Sequence, residues 1–189
     1  MTNRIAYQGE RGANSHIACA EAYPNMEPMA CRTFEDVFAR VEKGDADLAM
    51  IPVDNTIAGR VADIHHLLPK TDLSIIAEHY LPIRFQLMAL PGTKLADVKA
   101  ARSHIMGLGQ CRDFLREHVI EGIISADTAG AAREVKDLGD PSVAAIAPRL
   151  AADVYGLDVL AENIEDAEHN TTRFVIMSRE PGDLQADAG

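Results

Sequence analysis

Short apolar runs alternate along this chain with segments of helical spacing, and that alternation limits the folds open to it more than any other feature. Arg4 to Tyr7 reads as a first strand, with Gly9 and Gly12 marking the turn after it. Ser15 is placed to cap a helix running to about Tyr23. Thr33 and Asp36 form an acidic variant of a capping box, and Phe34, Val37, Phe38 and Val41 fall on one face of the helix that follows. Gly44 stops that helix, and Leu48 to Ile51 makes the next strand. Ile64, Leu67 and Leu68 give the apolar face of a further helix that Pro69 helps to end.

The second half repeats the scheme without repeating the sequence. Phe85 to Leu90 reads as a strand, Leu95 and Val98 sit in a short helix, and a turn at Ser103-His104 leads to a helix through Phe114 and Leu115. Ile123-Ile124 reads as a buried strand, and Thr128 opens a helix ending near Gly139. Val143 to Ile146 is another strand, Pro148 starts a helix, and Phe174 to Met177 closes the pattern. Such alternation implies an α/β fold with largely parallel sheets. The layout predicts two similar lobes, lobe 1 from about 1–78 plus 163–180 and lobe 2 from about 79–162, with residues 181–189 a loose tail.

Composition narrows the function. The net charge of −11 disfavours nucleic acid or an anionic membrane surface as partner, and no apolar run approaches the length of a membrane span. Nothing at the N-terminus resembles a signal peptide, so a cytoplasmic location is expected. Cys19, Cys31 and Cys111 are odd in number and widely spaced, which reads as three small buried thiols rather than disulfides or zinc ligands. His65 and His66 are adjacent on a helix and point in different directions, so no metal site is expected there. The acidic set Glu165, Asp166 and Glu168 reads as a solvated loop, with a carboxylate near Thr172 as the other reading.

Four segments share one design: a strand end, a turn with small or hydroxyl residues, then a helix start. They are Gly9 to Ser15, Pro52 to Thr56, Ser103-His104, and Ala126 to Ala129. In a parallel sheet such turns lie at the carboxyl ends of strands, and their free N–H groups and hydroxyls suit a small anion. Each taken alone is better explained by the need of helices for caps. A fifth segment, Asn170-Thr171-Thr172-Arg173-Phe174, sends an arginine into an apolar strand, where it needs an anionic partner or ligand.

Together, these segments resemble the prephenate dehydratase family. Thr172-Arg173-Phe174 is similar to its Thr-Arg-Phe signature, and Pro52-Val53-Asp54-Asn55-Thr56 with Gly59 and Val61 resembles its Pro-x-Glu-Asn-Ser segment. Ser103-His104 with Leu108, Gln110 and Cys111, the Gly9, Gly12 and Ser15 set, and Asp127-Thr128-Ala129 match further family segments in order. Asp54 and Thr56 stand where Glu and Ser are usual, Glu10 replaces a proline, Asn14 an aromatic, and Ile105-Met106 a Pro-Gln.

The resemblance implies a catalytic domain over residues 1–180 with two α/β lobes and a cleft between them, like a type II periplasmic binding protein. It implies conversion of prephenate to phenylpyruvate in phenylalanine biosynthesis, with no cofactor or metal, by a homodimer or homotetramer; no ACT regulatory domain is expected within these residues, whether the protein is short or this is the catalytic portion of a longer one. By resemblance Thr172 donates a hydrogen bond or proton to the departing ring hydroxyl. Arg173 pairs with a substrate carboxylate or anchors the strand end. Asn55, Thr56, Ser103 and Thr128 are substrate donors, with Ser15 a further candidate. His104 either relays a proton or hydrogen-bonds locally, and Gln110 either packs or binds. Three other readings stay open: an arogenate dehydratase, a prephenate decarboxylase that leaves the ring non-aromatic, and a non-catalytic small-anion binding module.

Overall fold

The computed structural model describes residues 2–181, so most of the expected loose tail lies outside the described residues. In chain order the elements are β1 (Arg4–Gln8), α1 (Asn14–Ala22), β2 (Glu27–Cys31), α2 (Phe34–Glu42), β3 (Leu48–Asn55), β4 (Gly59–Arg60), α3 (Ala62–Leu67) and β5 (Ser74–Pro82). They continue with β6 (Gln86–Ala89), β7 (Ala100–Ser103), α4 (Ile105–Gly109), α5 (Arg112–Glu117), β8 (Glu121–Ile124), α6 (Thr128–Leu138), β9 (Val143–Ala147), α7 (Arg149–Tyr155), β10 (Asp158–Ala161) and β11 (Thr171–Ser178). No helix among the described residues is long and apolar enough to cross a membrane.

The chain divides into two compact α/β units. The first holds residues 2–9, 15–82 and 171–181 of those described, the second residues 10–14 and 83–170. In the first, the strands run β2-β1-β3-β11-β5, with β4 paired to β3. β1 lies parallel to β2 and β3, as strands joined by helical crossovers must be. β11 enters antiparallel to both β3 and β5, so the sheet is mixed rather than largely parallel. Its core is built from Val37, Phe38 and Val41 of α2, Ile51 and Val53 of β3, Ile64 of α3, and Val175 and Met177 of β11. The N-cap half of the expected capping box forms: the Thr33 hydroxyl accepts from the Asp36 N–H at 3.1 Å. Ser15 is displaced by one position, since α1 starts at Asn14 and places Ser15 inside its first turn.

In the second unit the strand order is β10-β6-β9-β7-β8, with β6 antiparallel to both of its neighbours. The five residues of β9 are all buried, flanked by strands on both edges and packed beneath α6. β8 differs from expectation. It is an edge strand rather than a buried one, and Ile124 is 63% exposed. Pro148 occupies the N-cap of α7 instead of its first turn. α6 ends on Gly139 at φ 68°, a left-handed position that glycine adopts without steric cost. Cys19, Cys31 and Cys111 are free and buried, and burial pushes the Cys19 thiol up to about 12.

Candidate functional site

In the first unit, strand pairing brings together two of the predicted segments. β11 aligns on β3 so that Thr172 faces Asn55 and Arg173 faces Asp54; the next pair is Phe174 with Pro52, which leaves Val53 as the extra residue of a bulge. Pro52 has no N–H to offer the ladder, and a bulge beside it re-aims the strand end. Two further bonds clamp the strand ends: the Thr56 N–H donates to the Thr171 carbonyl at 3.0 Å, and the Thr171 N–H to the Thr56 hydroxyl at 3.0 Å.

Asn55 is the most constrained polar side chain at this junction. Its Oδ1 accepts from the N–H groups of Ile57 and Ala58 at 2.9 and 2.8 Å, which fixes the orientation of the amide. The Nδ2 therefore points at Thr172 and donates to its Oγ1 at 2.9 Å. A hydroxyl that accepts such a bond keeps its own proton for a third group and is polarised toward releasing it. The pair is a preorganised hydroxyl donor supported by an amide.

Arg173 is committed to protein carboxylates. Its Nη2 and Nε contact Asp54 Oδ2 at 2.7 and 3.1 Å, and its Nη1 contacts Glu78 Oε1 at 3.2 Å. Hydrogen bonding to Asp54, followed by the charge of that group, raises the guanidinium above its ordinary pKa. Of the two roles implied for Arg173, the geometry favours the strand anchor. Glu78 in turn accepts from the Tyr80 hydroxyl at 2.8 Å, so three strands share one charge network. Phe174 is buried core.

In the second unit, Ser103 ends β7 fully buried, and its hydroxyl donates to the Ile146 carbonyl at 2.6 Å. His104 caps α4, with Nδ1 accepting from the Met106 N–H at 3.2 Å. That bond supports the local role and leaves the other ring nitrogen to carry the proton in the neutral tautomer. Thr128 is the first residue of α6, whose cap is Asp127, bonded to the Gly130 N–H at 2.6 Å. Gly107 joins these two turns. A Cβ there would lie 2.6 Å from the Ser103 Oγ and 3.4 Å from the Thr128 methyl group, so a side chain is excluded. Gln110 Oε1 accepts from Asn170 Nδ2 at 2.9 Å, and the Asn170 carbonyl accepts from the Ile83 N–H at 2.7 Å. Ser15, by contrast, belongs to the first unit, as do Asn55, Thr56, Thr172 and Arg173.

In the segment read as a solvated acidic loop, Glu168 is exposed as expected, but Glu165 and Asp166 are fixed carboxylates. Glu165 has a side chain only 3% exposed, paired with Arg84 at 2.8 Å and accepting from the Phe85 N–H at 2.9 Å. Asp166 accepts from the N–H groups of Arg112 and Asp113 and so caps α5 from far away in sequence. Sequence reasoning missed these roles and that of Asn170, because each depends on a partner more than 50 residues distant.

A family model described as prephenate dehydratase matches residues 5–182. The bifunctional N-acyl-homoserine lactone acylase/prephenate dehydratase of Komagataeibacter europaeus is 43% identical over 95% of this chain and 64% of its own length. Arogenate dehydratase/prephenate dehydratase 1 of Arabidopsis thaliana is 42% identical over 94% of this chain and 45% of its own. The chain thus spans between about half and two thirds of these curated relatives. Among solved structures, the Arthrobacter aurescens prephenate dehydratase in complex with L-Phe superposes with a TM-score of 0.87 at 31% identity, over 95% of this chain and 62% of that one. A Bacillus subtilis lipoprotein shares the fold alone, with a TM-score of 0.50 at 11% identity over 97% of this chain and 85% of its own. The two-lobed α/β architecture, the family match along nearly all described residues and these identities lead to one conclusion: the chain belongs to the prephenate dehydratase family.

Proposed function

We propose that this chain performs the dehydratase reaction itself, taking prephenate to phenylpyruvate, with Thr172 as the hydroxyl donor. The observation that carries the reading is the Asn55–Thr172 pair: an amide locked by two backbone N–H groups, donating at 2.9 Å to a hydroxyl whose own proton is left for a ligand. In the reaction, the bond between the ring and its carboxylate breaks and its electrons enter the ring. The opposite carbon–oxygen bond breaks as the hydroxyl leaves, accepting a hydrogen bond or proton from Thr172. Carbon dioxide, water and an aromatic ring result, so aromatisation supplies the driving force and no electrons are exchanged with a carrier. A free alcohol is a weak acid, and the main contribution of Thr172 is stabilisation of charge developing on the leaving oxygen.

Thr56 holds the junction, and Arg173 positions the strand through Asp54 and Glu78. Thr128 and Gln110 are proposed as substrate-binding groups of the second unit, with His104 and Ser103 shaping their turns. Ser15 is proposed as a further donor from α1.

Arogenate has an amino group where prephenate has a keto group, and the dual name of the Arabidopsis relative makes it the second substrate to examine. The acylase named for the Komagataeibacter relative is a separate chemistry, and the family model over residues 5–182 supports the dehydratase part. Purified protein is incubated with prephenate, arogenate or an N-acyl-homoserine lactone, with and without a chelator, and the products are resolved by chromatography. Phenylpyruvate from prephenate, undiminished by the chelator, is expected. Product from the lactone alone, or loss of turnover restored by a divalent metal, rejects the proposal.

A further inference from the structure

Gln110 is held from several directions inside the second unit, and all but one of its polar groups are engaged. It caps the C-terminal end of α4, where its N–H donates to the Met106 and Gly107 carbonyls at 3.1 and 3.2 Å. Its own carbonyl accepts from the Asp166 N–H at 2.7 Å. Its side-chain Oε1 accepts from Asn170 Nδ2 at 2.9 Å. What remains is the Nε2 amino group. Among the described residues no hydrogen bond is spent on it, and in this half-buried side chain it is not shut away from solvent.

Asn170 decides which end of that amide is left free. It is only 1% exposed and is fixed through its main chain, since its carbonyl accepts from the Ile83 N–H at 2.7 Å. A glutamine amide turned end for end keeps its shape but exchanges a donor for an acceptor, so only a partner of defined polarity can set it. By donating to the oxygen, Asn170 leaves the NH2 end for a ligand. Arg173 is spent on Asp54 and Glu78, so neutral donors of this kind carry more of the binding of a dianion. We infer that Asn170 is a positioning residue: it locks the Gln110 amide so that the NH2 end donates to a carboxylate oxygen of the substrate. The inference rests on the dehydratase reading and on the place given there to Gln110.

Steady-state kinetics with prephenate on the full chain tests it, using Gln110→Ala, Asn170→Ala and the double variant. Gln110→Ala should raise the Michaelis constant at least about tenfold with a smaller effect on the turnover number, as loss of a hydrogen bond to a charged group does. Asn170→Ala should raise it at least about threefold, and the double variant should be no worse than Gln110→Ala alone. Gln110→Glu leaves the buried Asn170 untouched and keeps an acceptor for it, but turns an anionic oxygen toward the substrate. Its Michaelis constant should exceed that of Gln110→Ala. A purely structural Asn170 would lower the melting temperature and add its effect to that of Gln110→Ala. A further arm needs no substrate: nitrogen relaxation of the Gln110 side-chain amide should show an ordered group in the unmodified chain and a mobile one in Asn170→Ala. Absence of prephenate turnover in the unmodified chain rejects the function proposed above and the ligand given to Gln110, while the relaxation arm still decides the locking. An amide equally ordered in both chains, a Gln110→Glu enzyme with a normal Michaelis constant, or single-substitution effects that add in the double variant overturns the positioning role.

Discussion

Replacing Thr172 by alanine separates a chemical role from a structural one, because the structure sets different magnitudes for the two. The substitution removes one hydroxyl that accepts a single hydrogen bond, from Asn55 Nδ2 at 2.9 Å in a half-buried setting. A neutral bond of that kind contributes about 0.5–1.5 kcal/mol to stability. For a domain of this size that lowers the melting temperature by roughly 2–4 °C per kcal/mol. If the hydroxyl serves the departing oxygen, the turnover number falls by about 10²–10³, the loss seen when one preorganised donor is removed, while substrate affinity changes little. Thr172→Ser keeps the hydroxyl and should retain a substantial part of the rate. Asn55→Ala leaves the hydroxyl unoriented, so its effect and that of Thr172→Ala should fall short of adding in the double variant. Stopped assays for phenylpyruvate, substrate titration and thermal melts on the same four variants give all the quantities. A folded Thr172→Ala protein with near-normal turnover refutes the assignment, whatever its melting temperature.

Arg173→Gln should lower the melting temperature and the turnover number while leaving the Michaelis constant close to its original value, because the guanidinium is held by Asp54 and Glu78; a large rise in that constant with normal turnover would show instead that it binds substrate. Gly107→Ala places a methyl group 2.6 Å from the Ser103 oxygen, which its bond to Ile146 holds in place, and should cost about 1–3 kcal/mol by overpacking, read from denaturant unfolding. Burial raises the Asp47 carboxyl, but hydrogen bonds from the Asn3 and Thr2 N–H groups outweigh it and hold its pKa below the ordinary value. A depressed folded-state pKa contributes stability above the unfolded value of about 3.9 and loses it as pH falls through the folded value. Asp47→Asn should therefore flatten the acid limb of a melting-temperature profile and leave its shape above neutrality unchanged.

How much was legible in the sequence varied with the distance over which each residue finds its partners. Ile5-Ala6-Tyr7 and Val143 to Ile146 declare themselves because they are apolar runs buried on both faces. The Thr33–Asp36 cap is legible because both partners lie within four residues. β2, β5, β7 and β10 escaped: their residues are mostly half-exposed, and none forms an apolar run as strong as those of the central strands. β3 runs on through Pro52, which read as the end of a strand, because the bulge there absorbs the missing donor. The expectation of parallel sheets failed on β6 and β11, since alternation of elements does not say where a returning strand inserts. Arg173 stood out as an arginine entering an apolar strand, whereas the roles of Thr172 and Asn55 emerged from the family resemblance. Their geometry comes from register: Thr172 and Asn55 are 117 positions apart, and no local pattern encodes which hydroxyl meets which amide.

The position of β11 also bears on how the chain is made. It is an interior strand of the first unit, hydrogen-bonded on both sides, yet it follows the whole second unit in sequence. While the protein emerges from the ribosome, β3 and β5 wait with open edges through the synthesis of some ninety residues. The pairings that complete the sheet close long loops, and non-local strand pairing of this kind is slow. Residues 83–170, bounded by their own sheet, have no such wait, apart from the five-residue strap 10–14 that precedes them. The unit that begins the chain is therefore the last to finish folding, and the Asn55–Thr172 bond forms at the end of that process. Unpaired strand edges in a nascent chain are where aggregation starts, so truncation just before Thr171 should yield a protein that associates through β3 and β5.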